Sequence, residues 1–185
     1  MFETIVDPTV GPPADSERGQ PALAPRPVSL RGLRLGVLAN TKRNAEEFVQ
    51  QVGQQLADQY GVRTVLARTK PNIVETAPEQ MMAELAGQCD IVVTGVGDCG
   101  SCSASAVADG LLLEQAGIPA VVICSDAFTV SANAMAELRG APGYRYVTTP
   151  HPVANLTADG IRDRAAAAIP AIVALLTRPA MAVSA

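Results

Sequence analysis

From Leu33 onward, short apolar runs alternate with amphipathic segments, and this alternation limits the folds open to the chain. Leu33 to Leu38 reads as a first strand. Ala45, Phe48, Val52 and Leu56 then recur at helical spacing, and Gly61 ends that helix. Arg63 to Ala67 is a second strand. Thr76-Ala77-Pro78-Glu79 has the form of a capping box, with proline at a tolerated early position, and opens a helix carrying Met81, Met82 and Leu85. Asp90 to Thr94 is a third strand, and Ala104, Val107, Ala108 and Leu111 mark the helix after it, ended by Gly117. Pro119 to Cys124 is a fourth strand, with a helix running to Arg139 and Gly140. Tyr144 to Thr148 is a fifth strand. A last helix, Ala158 to Leu176, carries Pro170 in its interior, where a kink is expected.

Strand and helix in strict alternation predict an α/β fold, a three-layer αβα sandwich on a five-stranded, mostly parallel sheet. The topology is flavodoxin-like or Rossmann-like. Composition agrees: aromatics are only 3% and Trp is absent, so the core must be built from Val, Ile, Leu and Ala. Residues 1–30 stand apart. They hold six of the 14 prolines and no apolar periodicity, which predicts an extended arm or a disordered tail ahead of one domain over 31–185. An arm of this kind can cross to a neighbouring subunit, so a homo-oligomer or hetero-oligomer is expected.

A net charge of −4 with no basic stripe argues against a nucleic-acid partner. The longest apolar stretch, Ala165 to Leu176 between Arg164 and Arg178, is too short to span a bilayer. Four cysteines without an export signal predict a reducing, cytoplasmic setting, where such residues are catalytic, metal-binding or buried rather than disulfide-bonded.

In doubly wound sheets ligands bind beyond the carboxyl ends of the strands. That rim collects Lys42, Arg68, Lys70, the loop Gly97-Asp98-Cys99-Gly100-Ser101-Cys102-Ser103, Cys124 and the sole histidine, His151. A Cys-x-x-Cys at a helix N-terminus is acidified by unpaired N–H groups and the helix dipole, which suits nucleophilic or redox thiol chemistry. The same N–H groups, with Gly100, Ser101 and Ser103, can hold a carboxylate or a developing oxyanion. Asp98 is an awkward neighbour, since its charge opposes thiolate formation unless it points away, holds a proton or binds a metal. His151, between two prolines, is either a proton carrier or a solvated loop residue. Lys42, Arg68 and Lys70 are candidates for an anion clamp, against the plainer reading that they are surface cations. Cys124 reads as a packed thiol at a strand end, and Cys89, at the opposite end of the sheet, as structural.

Asp98-Cys99-Gly100-Ser101-Cys102 resembles the central motif of the UGSC family of (seleno)proteins, with cysteine where many members carry selenocysteine. Asp7-Pro8-Thr9, Lys70-Pro71, the run from Cys89 to Gly97, Gly117-Ile118-Pro119 and His151-Pro152 also look like that family. The resemblance implies chemistry akin to the substrate-activating selenoprotein of glycine-reductase-type systems. Cys99 would take the nucleophile position and Cys102 the resolving one. A thiol is less acidic and less nucleophilic than a selenol, which favours addition or elimination over reduction of hard substrates.

The expected function is a thiol-dependent enzyme, lyase or reductase-like, acting on a small anionic molecule by addition, elimination, hydration or reductive cleavage. Cys99 and Cys102 carry the sulfur chemistry, His151 moves the proton, and Lys42, Arg68, Lys70, Gly100, Ser101 and Ser103 bind substrate. One alternative is a zinc site built from Cys99, Cys102, Cys124 and His151. Another is a non-catalytic redox or assembly subunit. No cofactor is expected, because Gly95-Val96-Gly97 lacks the third glycine of the dinucleotide fingerprint and no Walker-type sequence occurs.

Overall fold

The computed structural model describes residues 23–177. Five strands, β1 (Arg34–Ala39), β2 (Arg63–Thr69), β3 (Ile91–Gly97), β4 (Ala120–Ser125) and β5 (Val147–Thr149), form one parallel sheet in the order β2-β1-β3-β4-β5. This is the flavodoxin-like order, which decides between the two topologies left open by the sequence. The helices are α1 (Ala45–Tyr60), α2 (Glu79–Gln88), α3 (Gly100–Gln115), α4 (Thr129–Leu138) and α5 (Ala158–Leu176). A short 3-10 turn, Asp126–Phe128, precedes α4. No helix among the described residues is long and apolar enough to cross a membrane.

On one face, α1 and α5 bury an aliphatic layer against the sheet that includes Phe48, Val52, Leu56, Ile161, Ile169 and Ile172. The stripe on α1 recurs at the spacing an amphipathic helix requires. Gly61 ends α1 in the left-handed region and returns its N–H to Ala57 O. The other face carries α2, α3 and α4. Helix α3 lies so close to β4 that a Cβ on Gly110 would sit 2.3 Å from Val122 Cγ2, so only glycine fits there without displacement.

Several boundaries differ from expectation. Strand β3 runs on through Gly97, because Gly95-Val96-Gly97 is buried sheet rather than the start of the loop. Thr76 makes no capping bond. Helix α2 starts at Glu79 behind Pro78, so the Thr76–Glu79 capping box does not form. Strand β5 starts at Val147, not Tyr144. Helix α5 continues through Pro170, and Thr157 caps it by accepting the Gly160 N–H.

The first 22 residues of the proline-rich arm lie outside the described residues. The remainder of the arm packs on the domain. Ala24 and Leu30 are buried, and the buried Glu114 carboxylate accepts from Ala24 N (2.7 Å) and from both terminal nitrogens of Arg26 (2.8 Å each).

Candidate functional site

The sheet order reverses between β1 and β3, so their carboxyl ends flank the switch point where ligands of such folds bind. Asn40 ties the two ends together. Its N–H donates to Gly95 O, its side-chain amide donates to Val96 O, and its Oδ1 accepts from Lys42 N. The loop after β3 carries the cysteines.

Cys99 is the N-cap of α3, in extended conformation, and its sulfur takes the place that a Ser or Asp oxygen usually fills. Cys102 N–H donates to Cys99 Sγ (3.3 Å), and Asp98 N–H donates to Cys102 Sγ (3.1 Å). Cys99 Sγ therefore sits against a backbone donor at the positive end of a 16-residue helix, an environment that favours thiolate, while Cys102 Sγ lies between the Asp98 N–H and the Cys99 carbonyl oxygen (3.1 Å each). The two sulfurs lie side by side within reach of a disulfide, with Cα atoms 5.3 Å apart. Their exposures differ. Cys99 is half-buried and Cys102 fully buried, so an external molecule can reach only the first. Ser101 is exposed, with its Oγ 3.7 Å from Cys99 Sγ. The Gly100 and Ser101 N–H groups, first in the helix, have no intrahelical acceptor.

Asp98 is not a hindrance to the thiols, because its carboxylate turns away into a cradle of donors. Val153 N reaches both oxygens (3.1 Å each), Ala154 N reaches Oδ2 (2.9 Å), and His151 Nδ1 lies 2.9 Å from Oδ1. Burial works to raise its pKa, but the Ala154 and Val153 N–H bonds, with Ser125 and His151, outweigh burial and hold it below the ordinary carboxylate range. The sign follows from linkage: Asp98 adds stability that is complete above its unfolded value, near pH 4, and lost as pH falls through the depressed folded value. Asp98→Asn is therefore expected to cost about 2–3 kcal/mol at pH 7, with the gap to wild type narrowing below about pH 4. Urea titrations at both pH values check this.

Two of the expected anion-binding cations are committed elsewhere. Lys70 is buried, and its Nζ contacts Asp109 Oδ2 (2.6 Å), Ser105 Oγ (2.5 Å) and Glu75 O (2.8 Å). Burial works to raise the Asp109 carboxyl above its ordinary range, and the Lys70 ammonium opposes it. Arg68 forks onto Glu84 of α2 (2.5 and 2.9 Å). Both side chains turn from the rim to cover charges on helices, so neither joins a clamp. Lys42 is different. It is half-buried and lines a cleft of about 500 Å³ at the ends of β1 and β2, together with Asn40, Thr69 and the carboxylates Glu46 and Glu47, and neither Cys99 nor His151 lines that cleft.

Ser103 is also misplaced by the sequence reading. It is fully buried, facing β3, where a Cβ on Gly97 would meet its Oγ at 2.6 Å. It cannot touch a substrate. Cys124 lies beside it in the core, and burial pushes its thiol up to about 12. The four residues of the zinc alternative do not converge, and the described residues hold no group of three or more His, Cys, Asp or Glu able to take a metal ion.

The sequence places Asp98, Ser125 and Asp126 at the strand ends without giving them a role at His151, and it does not single out Phe128. All four touch or hold His151. Ser125 Oγ is 3.3 Å from Nδ1, Asp126 Oδ1 accepts the His151 N–H, and the Phe128 ring meets the imidazole edge-on at 5.2 Å. Asp98, Ser125 and Asp126 carried a signal, since they lie at the carboxyl ends of β3 and β4.

No curated protein sequence matches the chain. Among solved structures it is similar to the signal receiver domain of the response regulator NarL from Mycobacterium tuberculosis. That likeness has 15% identity and a TM-score of 0.34, and covers 76% of this chain and 98% of that one. The UGSC family model matches residues 4–178, which include every site residue described above. The chain belongs to the UGSC family.

Proposed function

We propose that the protein is a thiol-dependent enzyme that reductively cleaves a small anionic molecule. The observation that carries this reading is the pairing of an accessible Cys99 sulfur with a buried Cys102 sulfur, both facing backbone donors. The Cys99 thiolate displaces a leaving group from an activated atom of the substrate and forms a covalent adduct. The Cys102 thiolate then attacks Cys99 Sγ. The Cys99–Cys102 disulfide forms, and the substrate fragment leaves with the bonding electron pair and takes up a proton from His151. The substrate gains two electrons and the dithiol loses two, so each turnover requires a dithiol reductant to restore the enzyme. Lys42 and the first N–H groups of α3 suit an anionic substrate. In simple addition or elimination the adduct would collapse without oxidising Cys102, whereas the reductive branch gives a use to the Cys102 sulfur held within reach of Cys99.

The test uses a small anionic disulfide, 5,5′-dithiobis(2-nitrobenzoate). Reduced Cys102→Ser should retain about one thionitrobenzoate per chain, on Cys99, because the resolving sulfur is gone. An adduct on Cys89 or Cys124 instead would contradict the reading.

A further inference from the structure

Two side chains face the Nδ1 edge of His151. The first is Asp98 Oδ1 at 2.9 Å, on a carboxylate whose oxygens already receive the Val153 and Ala154 N–H groups. The second is Ser125 Oγ at 3.3 Å, a hydroxyl that also lies 3.1 Å from Gly97 O and bonds the Asp98 carboxylate. A serine hydroxyl can donate or accept, so the Asp98 carboxylate, which can only accept, decides the tautomer. Facing that carboxylate at 2.9 Å, Nδ1 carries the proton in the neutral ring. His151 is also held at its backbone N–H by Asp126, and its ring packs in a T-shaped contact with Phe128. The side chain is 37% exposed, whereas that of Asp98 is 1% exposed. The open edge is therefore the one bearing Nε2.

We propose that Asp98 is a positioning residue that fixes His151 as the Nδ1–H tautomer, making Nε2 the atom that exchanges protons in the thiol chemistry. The step balances: Nε2 takes the Cys99 thiol proton, giving imidazolium and thiolate, and returns it to the departing fragment. Asp98 stays an anion throughout and stabilises the imidazolium. The same geometry excludes Ser125 as a nucleophile activated by His151, since it meets the protonated nitrogen. This inference rests on the thiol reading for its role but not for its geometry.

The chain has a single histidine, so the untagged, 15N-labelled protein gives one imidazole in a long-range proton–nitrogen spectrum. At alkaline pH the expected pattern is a protonated Nδ1 and a bare Nε2 in the wild type. A protonated Nε2 with bare Nδ1 overturns the proposal. Asp98→Asn places an amide donor within reach of Nδ1 and should move the proton to Nε2, with Cys99 alkylation slowed at least about tenfold. His151→Ala should slow alkylation by a similar factor, and the double variant should be no slower than either. Unchanged alkylation in Asp98→Asn, when His151→Ala is slow, also overturns the proposal. Failure of the thiol reading would show separately, as slow labelling of Cys99 in the wild type.

Discussion

Asp109→Ala is expected to destabilise the domain by about 3–5 kcal/mol, a large part of the roughly 5–15 kcal/mol that holds a domain of this size together. The Lys70 ammonium is 3% exposed and its partner carboxylate fully buried, so removing the carboxylate strands a charge in the core. Ser105 Oγ and Glu75 O would remain as acceptors, but neither carries charge. The Ala77 N–H, which now donates to Asp109 Oδ1 at 2.7 Å, would lose its acceptor as well. Replacing both partners by apolar residues of similar size, Lys70→Met with Asp109→Leu, should recover much of the loss, since neither desolvation nor charge is then at issue. Urea unfolding with an unchanged m-value measures both variants. A loss within about 0.5 kcal/mol for Asp109→Ala would show that Lys70 is free to serve at the rim.

The largest kinetic effect is expected among the cysteines of the reduced protein. Burial pushes Cys89 up to about 11 and Cys124 up to about 12. At pH 7 such thiols are ionised to roughly one part in ten thousand and one in a hundred thousand, against about 3% for an unperturbed thiol. Cys99 is the half-buried member of the set and has the Cys102 N–H and the α3 terminus to stabilise its thiolate. Its alkylation by iodoacetamide should therefore outrun that of Cys89 and Cys124 by at least about 100-fold. Cys102, fully buried, should follow Cys99 rather than precede it. Peptide mapping at short times gives the order directly. Labelling of Cys89 first would mean that the wrong loop has been assigned the chemistry.

The fold was legible because its signals are local. An aliphatic run, an i, i+3, i+4 stripe and a terminating glycine each declare themselves within a dozen residues, as α1 and Gly61 do. Reading failed where tertiary packing overrides local chemistry. Gly95-Val96-Gly97 looks like a turn, yet α3 and β4 cover it and it completes β3. Thr76 has the spacing of a cap, but Pro78 occupies the capping position.

In the site, the Cys-x-x-Cys was readable because its residues are neighbours in sequence. The carboxylate–imidazole pair was not, since it joins Asp98 to a residue 53 positions away. Lys70 and Arg68 show a second limit. Strand position places the Cα at the rim, but the direction of a long side chain is set by whichever buried or helical charge needs a partner. Ser103 shows the same for a short one: one helical position beyond Cys102, it faces the sheet.

The central claim is that Cys99 attacks and Cys102 resolves. Its most direct test is the fate of the reduced wild-type chain with excess 5,5′-dithiobis(2-nitrobenzoate). The expected result is rapid release of about two thionitrobenzoate equivalents per chain, no adduct retained, and one Cys99–Cys102 disulfide in the peptide map. Two stable mixed disulfides, one on each cysteine, would contradict it, as would release that leaves Cys99 and Cys102 reduced.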